Sequence, residues 1–213
     1  MAGNDYRLYI GSRNVSSWSL RPWLAMKEAG LAFEEVLITL RQPATRGEIL
    51  KVSPSGKVPA LTTGDLVVWD SLAIPEFLAE SHRDRQLWPI DRAARARARS
   101  VSAEMHSGFV KMRNSLPMDF TGRAPLDSVD EEVEVEIRRV VKLWRDCRRE
   151  FGAGGAYLFG HFSIADAMFA PVASRFTTYL SNLNLFGDDG TADDYRAMMM
   201  ERPAMREWAA GCR

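Results

Sequence analysis

The 213-residue chain has few residues that could form disulfides or bind a metal. It contains only two cysteines, Cys147 and Cys212, and no Cys-x-x-Cys pair, so neither a disulfide framework nor a thiolate zinc site is expected. Its three histidines, at positions 82, 106 and 161, have no partners at metal-ligand or catalytic spacing. We therefore predict that no metal is bound and that these histidines have surface or capping roles.

Long apolar runs and an excess of one charge are also lacking. No apolar stretch approaches the ~18 residues that a membrane-spanning helix needs, and the first residues do not have the pattern of a signal peptide. The 28 basic residues balance the 28 acidic ones, so no overall field would attract nucleic acid or an anionic membrane. The sequence thus predicts a cytoplasmic globular protein that binds neither nucleic acid nor a membrane.

Strand-like and helix-like patterns alternate at first and then give way to helices alone. Four strands are predicted, over residues 6–10, 33–40, 58–62 and 66–69, in the order β-α-β-(α)-β-β-α. From Asp91 onwards no convincing strand is found, and apolar residues from Ala94 to Met112 mark one face of a single long helix. This change predicts two domains, residues 1–85 and 91–213.

Two serines lie where the first strand gives way to a helix. The N-terminus of a helix offers free amides and a partial positive charge, which favour an anion, so Ser16 and Ser17 are candidate site residues. Serine is also an ordinary N-cap residue. The pair by itself therefore leaves a catalytic and a purely structural role open.

Two further dipeptides suggest a site for an extended, zwitterionic ligand. Val58-Pro59 opens the third strand, and a cis bond there would free the Val58 backbone for a ligand, although most X–Pro bonds are trans. Asp70-Ser71 opens a helix and is expected to cap it. The same pair could hold an amino-acid group, with Ser71 binding its carboxylate and Asp70 its ammonium. Ser163 and Asp166 form a capping-box pattern, for which we predict a structural role only.

Four stretches in order resemble the cytosolic glutathione transferase superfamily. They are SSWSLRPWLAM at 16–26, SPSGKVPAL at 53–61, DSLAIPEFLAE at 70–80 and FSIADAMFAP at 162–171. The resemblance covers essentially the whole chain. It implies an α/β, thioredoxin-like, glutathione-binding domain over residues 1–85, an all-helical bundle over residues 91–213 and a homodimer.

The resemblance also implies a role for each candidate residue. The hydroxyl of Ser16 or Ser17 would donate a hydrogen bond to the thiol of glutathione, with a slight preference for Ser16 from the motif. The Val58 backbone would pair with the cysteinyl part, and Asp70 and Ser71 would hold the γ-glutamyl end. The glycyl carboxylate would be approached by Lys57, Arg41 and Gln42.

The predicted function is transfer of glutathione to a hydrophobic electrophile, as in detoxification. The motif at Ser16 is most similar to the zeta, or maleylacetoacetate isomerase, branch, so glutathione-dependent cis–trans isomerisation is an alternative. Trp18 stands where that branch has cysteine. A non-catalytic binding or stress-related protein on the same fold is a third possibility. The second substrate would lie between the domains, with these candidate wall residues, each of which could equally belong to the core: Met105, Phe109, Met112 and Phe176.

Overall fold

The computed structural model describes residues 5–212, and the first half of the chain is built on a four-stranded sheet. The strands are β1 (Arg7–Gly11), β2 (Glu34–Ile38), β3 (Ala60–Thr63) and β4 (Leu66–Trp69), in the spatial order β2-β1-β3-β4. β1 runs parallel to β2 and antiparallel to β3, and β3 and β4 form the predicted hairpin. Gly64 provides the positive φ, 55°, that this tight turn requires.

Helices make up the rest. The first half contains α1 (Ser17–Glu28), α2 (Thr45–Leu50), α3 (Ala73–Ser81) and a 3-10 turn (Arg83–Arg85). The second half contains α4 (Arg92–Ser107), α5 (Val110–Ser115), α6 (Glu131–Phe151), α7 (Ile164–Tyr179), a 3-10 turn (Asn184–Phe186), α8 (Thr191–Met200) and α9 (Pro203–Ala210). After β4, the described residues form no further strand, and their β-pairing is limited to two isolated bridges. The predicted fold class, a thioredoxin-like half followed by a helical half, is confirmed, and the exact limits 85 and 91 stay a prediction.

The two halves pack together through α1 and α7. α7 is buried along almost its whole length and contacts α1, α4 and α8. Around it, the Trp144 ring on α6 contacts the rings of Phe169, Phe176 and Tyr195. This packing brings the last turns of α7 against the first turn of α1. None of the helices that the structure describes is long and apolar enough to cross a membrane.

The single long helix predicted from Ala94 to Met112 is wrong, because the chain breaks at Gly108 and Phe109. Gly108 ends α4 with its amide bonded to the Glu104 carbonyl at 2.8 Å, and Phe109 takes a left-handed φ of 57°. Phe109 and Met112 are nevertheless buried, so the apolar spacing continues across the break and hides it. The glycine was the available signal, since glycine weakens a helix interior.

α7 begins with the predicted capping arrangement. The Asp166 carboxylate accepts hydrogen bonds from the amide and hydroxyl of Ser163, at 2.9 and 3.1 Å. It also accepts from the Leu158 amide at 3.1 Å and from the Tyr195 hydroxyl at 3.0 Å. Asp166 is fully buried, and this burial raises the pKa of its carboxyl to about 6. The structural role predicted for Asp166 is therefore confirmed.

Candidate functional site

A cavity of about 530 Å³ opens where the first turn of α1, the loop before β3, the turn after β4 and the last turn of α4 meet. It contains four of the six predicted glutathione-binding residues, namely Lys57, Val58, Asp70 and Ser71. The remaining lining residues are Trp18, Ser55, Pro59, Trp69 and His106. Residues distant in sequence thus converge on one cavity.

Asp70 uses its two carboxylate oxygens differently. Its backbone is left-handed, with φ of 87°, and Oδ1 accepts from the amides of Leu72 and Ala73 at 2.8 and 3.1 Å. These two bonds cap α3, as predicted. Oδ2 lies 3.3 Å from Nε2 of His106 on α4. One oxygen therefore stabilises the helix while the other is available to a cation in the cavity.

Ser71, in the turn after β4, and Val58, in the loop before β3, offer polar groups to the cavity. Ser71 is buried, and its Oγ accepts a hydrogen bond from Nη1 of Arg21 at 3.2 Å, so its proton can still be donated. The Val58–Pro59 bond is cis. The Val58 amide and carbonyl form no hydrogen bond with other described residues. Both backbone groups can therefore pair with an extended ligand.

Ser16 and Ser17 lie at the start of α1 but do not line this cavity. Ser16 occupies the N-cap position but caps no amide, and its hydroxyl donates to Ser19 Oγ at 2.7 Å. Ser17 is the first helical residue, and its Oγ accepts from Nη2 of Arg175 at 3.2 Å. The serines are 5% and 7% exposed. The next side chain, Trp18, forms the cavity wall at this point.

Sequence reasoning missed a group of arginines around Trp18. The Trp18 ring centre lies 4.4 Å from the Arg21 guanidinium carbon and 5.2 Å from that of Arg113. Arg21 is fully buried, and its Nε and Nη2 have no hydrogen-bond partner among the described residues. Burial, helped by the charges of Arg175 and Arg113, lowers the pKa of Arg21 to about 9 against the opposing pull of Asp70. Arg21 is therefore still a cation at neutral pH.

The neighbouring groups add to this positive, poorly hydrated environment. Burial lowers the pKa of Arg113, and burial together with the charge of Arg113 lowers that of Arg175 to about 10. Burial is also the main cause of the lowered pKa of His106, whose ring meets the Trp18 ring edge-on at 5.5 Å. His106, for which a surface or capping role was predicted, is the basic residue in the last turn of α4 and also lines the cavity, which the sequence did not indicate. A chain with zero net charge gave no sign of this local cluster.

The structure does not bring the other predicted residues to this cavity. Gln42 lines a separate cavity of about 380 Å³ beside β2, and Arg41 precedes it with φ of 61°. The four predicted wall residues are at most 6% exposed and lie in the apolar core, namely Met105, Phe109, Met112 and Phe176. Their burial is expected because large apolar side chains stabilise most where water is excluded. The aromatic rings that line the cavity are instead those of Trp18 and Trp69.

The fold and the convergent site are those of a two-domain glutathione-transferase-like protein, and comparison with known proteins agrees. Residues 15–81 match the glutathione S-transferase N-terminal domain model, and residues 123–211 match the C-terminal domain model. Glutathione S-transferase 1 of Dianthus caryophyllus is 38% identical over 168 residues, which cover 78% of this chain and 74% of that protein. The chain belongs to the glutathione S-transferase family.

Other relatives support the resemblance to the zeta branch. The probable maleylacetoacetate isomerase of Caenorhabditis elegans is 34% identical over 107 residues, covering 50% of this chain. The zeta-class glutathione S-transferase of Euphorbia esula is 31% identical over 140 residues, covering 65% of this chain. The chain spans only 49% and 61% of these two relatives.

Solved structures share the fold at lower identity. A Burkholderia glutathione transferase homologue with bound glutathione superposes with a TM-score of 0.69 at 22% identity, covering 97% of this chain and 96% of that one. The Tau-class enzyme of Mangifera indica superposes with a TM-score of 0.73 at 16% identity, covering 99% and 97%. At these identities the likeness concerns the fold alone.

Proposed function

We propose that the protein is a glutathione transferase that binds glutathione in the 530 Å³ cavity and activates its thiol for attack on an electrophile. The observation that carries this proposal is the convergence of complementary polar groups on that cavity. Asp70 offers a carboxylate oxygen, Ser71 a hydroxyl backed by Arg21, and Val58 two free backbone groups. These are the groups that a zwitterionic γ-glutamyl end and an extended peptide require.

Each part of glutathione then has a matching group. The ammonium binds Asp70 Oδ2, and the adjacent carboxylate accepts from the Ser71 hydroxyl. The cysteinyl amide and carbonyl pair with the backbone of Val58. Lys57 is exposed at the rim, where it attracts the glycyl carboxylate; Arg41 and Gln42 stay candidates for the same task only if their loop approaches the ligand.

Thiol activation requires stabilisation of the thiolate. A free thiol has a pKa of about 8.5, so only a few per cent is ionised at neutral pH, and a hydrogen bond to the anion lowers this value. The Ser16 hydroxyl already donates its hydrogen bond to Ser19 Oγ. The Ser17 hydroxyl instead accepts a hydrogen bond from Arg175, so its proton is available for donation to a ligand. We therefore favour Ser17 over the Ser16 preferred by the motif. Arg21, Arg113 and Arg175 add a positive potential that favours the thiolate.

The test is calorimetric binding of glutathione to the wild type, Ser16→Ala and Ser17→Ala, with thiolate absorbance followed against pH. We expect the wild type to bind and to lower the thiol pKa by about one unit or more, and Ser17→Ala to lose most of this shift. Absence of binding by the wild type would overturn the proposal. If the pKa of bound glutathione's thiol is the same in both variants as in the wild type, only the serine mechanism is overturned.

A second candidate, glutathione-dependent isomerisation, is favoured by the arginines. Three guanidiniums near one small cavity suit an electrophile that carries carboxylates, and the relative in Caenorhabditis elegans is named a probable maleylacetoacetate isomerase. In this reaction glutathione adds to a double bond, the intermediate rotates, and glutathione leaves again. Turnover of maleylacetone, compared with a neutral aryl halide, separates the two activities. Binding of glutathione with turnover of neither would instead support a non-catalytic role.

We further propose that the protein acts as a homodimer in the cytoplasm, as is usual for the family. A groove of about 870 Å³ runs between α3, the segment 86–90 and α4, and Ile90 beside it is 72% exposed. The groove together with this apolar side chain is the surface that we propose for the interface. In sedimentation experiments the wild type should be a dimer and Ile90→Asp a monomer; a monomeric wild type would contradict this.

A further inference from the structure

In the part of the chain that the structure describes, the guanidinium of Arg21 forms no ion pair with a carboxylate. The one side-chain hydrogen bond that Arg21 forms with a described residue runs from Nη1 to Ser71 Oγ, at 3.2 Å. Nε and Nη2 are buried without partners, and the Trp18 ring covers the guanidinium at 4.4 Å. A buried charge that lacks compensation is costly to the folded state. This residue therefore weakens the ligand-free protein.

The surroundings of Arg21 do not offset this cost. Arg175 and Arg113 repel it, and Asp70 is the carboxylate that opposes them. Asp70, however, caps α3 through Oδ1, and Oδ2, which lies 3.3 Å from His106 Nε2, is the oxygen that the ammonium of the ligand is proposed to bind. Glu136 attracts Arg113, so two carboxylates oppose three guanidiniums, and the group has one positive charge in excess. It lacks one anion, and the cavity beside Ser71 is where that anion can enter.

We propose that Arg21 is a positioning residue that makes the site selective for a γ-glutamyl group with an intact α-carboxylate. This inference rests on the proposed binding of glutathione. By donating to Ser71 Oγ, Arg21 directs the Ser71 proton outwards and strengthens the hydroxyl as a donor. Its charge offsets that of the carboxylate that Ser71 binds. Arg21 does not contact the ligand itself, because the Trp18 ring covers its guanidinium; it acts through Ser71.

This role predicts opposite effects on binding and on stability. Arg21→Met keeps the length and apolar contacts of the side chain but removes the unpaired charge. It should weaken glutathione binding about tenfold or more, which corresponds to about 1.4 kcal/mol. The ligand-free variant should melt at the same temperature as the wild type or higher, because replacing a buried charge by an apolar side chain is often neutral or stabilising.

The experiment compares two ligands by calorimetry on the full chain: glutathione, and γ-aminobutyryl-cysteinyl-glycine, which lacks only the α-carboxylate. The wild type should prefer glutathione about tenfold or more, and Arg21→Met should bind both ligands within about twofold of each other. Arg21→Lys, which keeps the charge, should retain part of the preference. It also provides the same readout should Arg21→Met fail to fold.

A matched control is Arg196→Met. Arg196 is also largely buried, but it donates to the carbonyls of Phe176 and Leu180 at 3.1 and 3.0 Å, away from the cavity. This variant should lose stability and keep the ligand preference. The inference is overturned if Arg21→Met weakens both ligands equally, or if Arg21→Lys discriminates no better than Arg21→Met. A wild type that binds neither ligand overturns the proposed function instead.

Discussion

Two buried polar clusters, one around Asp166 in the first turn of α7 and one around Arg21 in α1, differ in how completely their polar groups are hydrogen-bonded. At the start of α7, Asp166 accepts four hydrogen bonds, from two amides and two hydroxyls. In α1, Arg21 is equally buried, but its side chain makes one hydrogen bond and leaves two nitrogens without a partner among the described residues. Burying either group costs desolvation. The four hydrogen bonds of Asp166 offset part of that cost, although burial still raises its pKa to about 6, and the single hydrogen bond of the Arg21 side chain offsets less of it.

The difference separates a structural site from a ligand site. Buried polar groups in folded proteins are nearly always paired, so each unpaired group needs a separate explanation. The Asp166 cluster needs no ligand to be complete. The Arg21 cluster lies beside a cavity of about 530 Å³ and lacks an anion, which the proposed ligand supplies. Substitutions in the first cluster should therefore change stability, and substitutions in the second should change binding.

The largest effect is expected from Asp166→Ala. It leaves the amides of Leu158 and Ser163 and the hydroxyl of Tyr195 without their acceptor in a fully buried position. The free energy of unfolding in urea should fall by about 3–5 kcal/mol. Asp146→Ala, which removes exposed ion pairs with Lys142 and Arg149, should cost less than about 1 kcal/mol. Similar losses in both variants would mean that the buried hydrogen bonds of Asp166 contribute no more to stability than exposed ion pairs do.

A paired serine-to-alanine comparison tests the two clusters with the same chemical change. Ser163→Ala should lower the free energy of unfolding by about 1–2 kcal/mol and leave glutathione affinity unchanged. Ser71→Ala should raise the dissociation constant of glutathione about tenfold, because a hydrogen bond to a charged group is lost. Urea unfolding gives the free energy of unfolding of each variant, and calorimetry gives its dissociation constant for glutathione. Loss of affinity in Ser163→Ala would show that the clusters are not independent.

A smaller effect is expected at Trp18, whose ring keeps water from Arg21. Trp18→Ala should let water reach the guanidinium and remove a cation–π contact of about 1 kcal/mol. Any gain in stability from Arg21→Met should then disappear in the Trp18→Ala background. A double-mutant cycle in urea should show a coupling of about 1 kcal/mol between the two positions. Strictly additive effects would mean that the ring does not control the hydration of Arg21.

The smallest expected effect is a pH dependence at His106. Burial, with the charges of Arg21 and Arg113, lowers its pKa in the folded state against the attraction of Asp70. Below a pH of about 6.5 the unfolded chain therefore binds more protons than the folded one, and stability is lost as the pH falls. As the pH is lowered, the melting temperature of His106→Gln should fall less than that of the wild type. His161→Gln, at an exposed position, should follow the wild type.

Local patterns predicted most of the fold and part of the candidate site. Alternation and helical spacing indicated the four strands and most helices, because burying one face requires that periodicity. Asp70 caps α3 and Ser163 pairs with Asp166, as their places before apolar helices predicted. The helix break at Phe109 was missed because a buried side chain continued the periodicity across it.

The sequence by itself determined the strand–helix order, the caps and the dipeptides Val58-Pro59 and Asp70-Ser71, since each depends on neighbours within a few residues. Only the tertiary structure decided which charges meet. Arg21, His106 and Arg113 come from three helices, and their proximity follows from the packing of α1, α4 and α5 around Trp18. Desolvation depends on the surroundings in space rather than along the chain, so an unpaired buried guanidinium cannot be recognised from spacing.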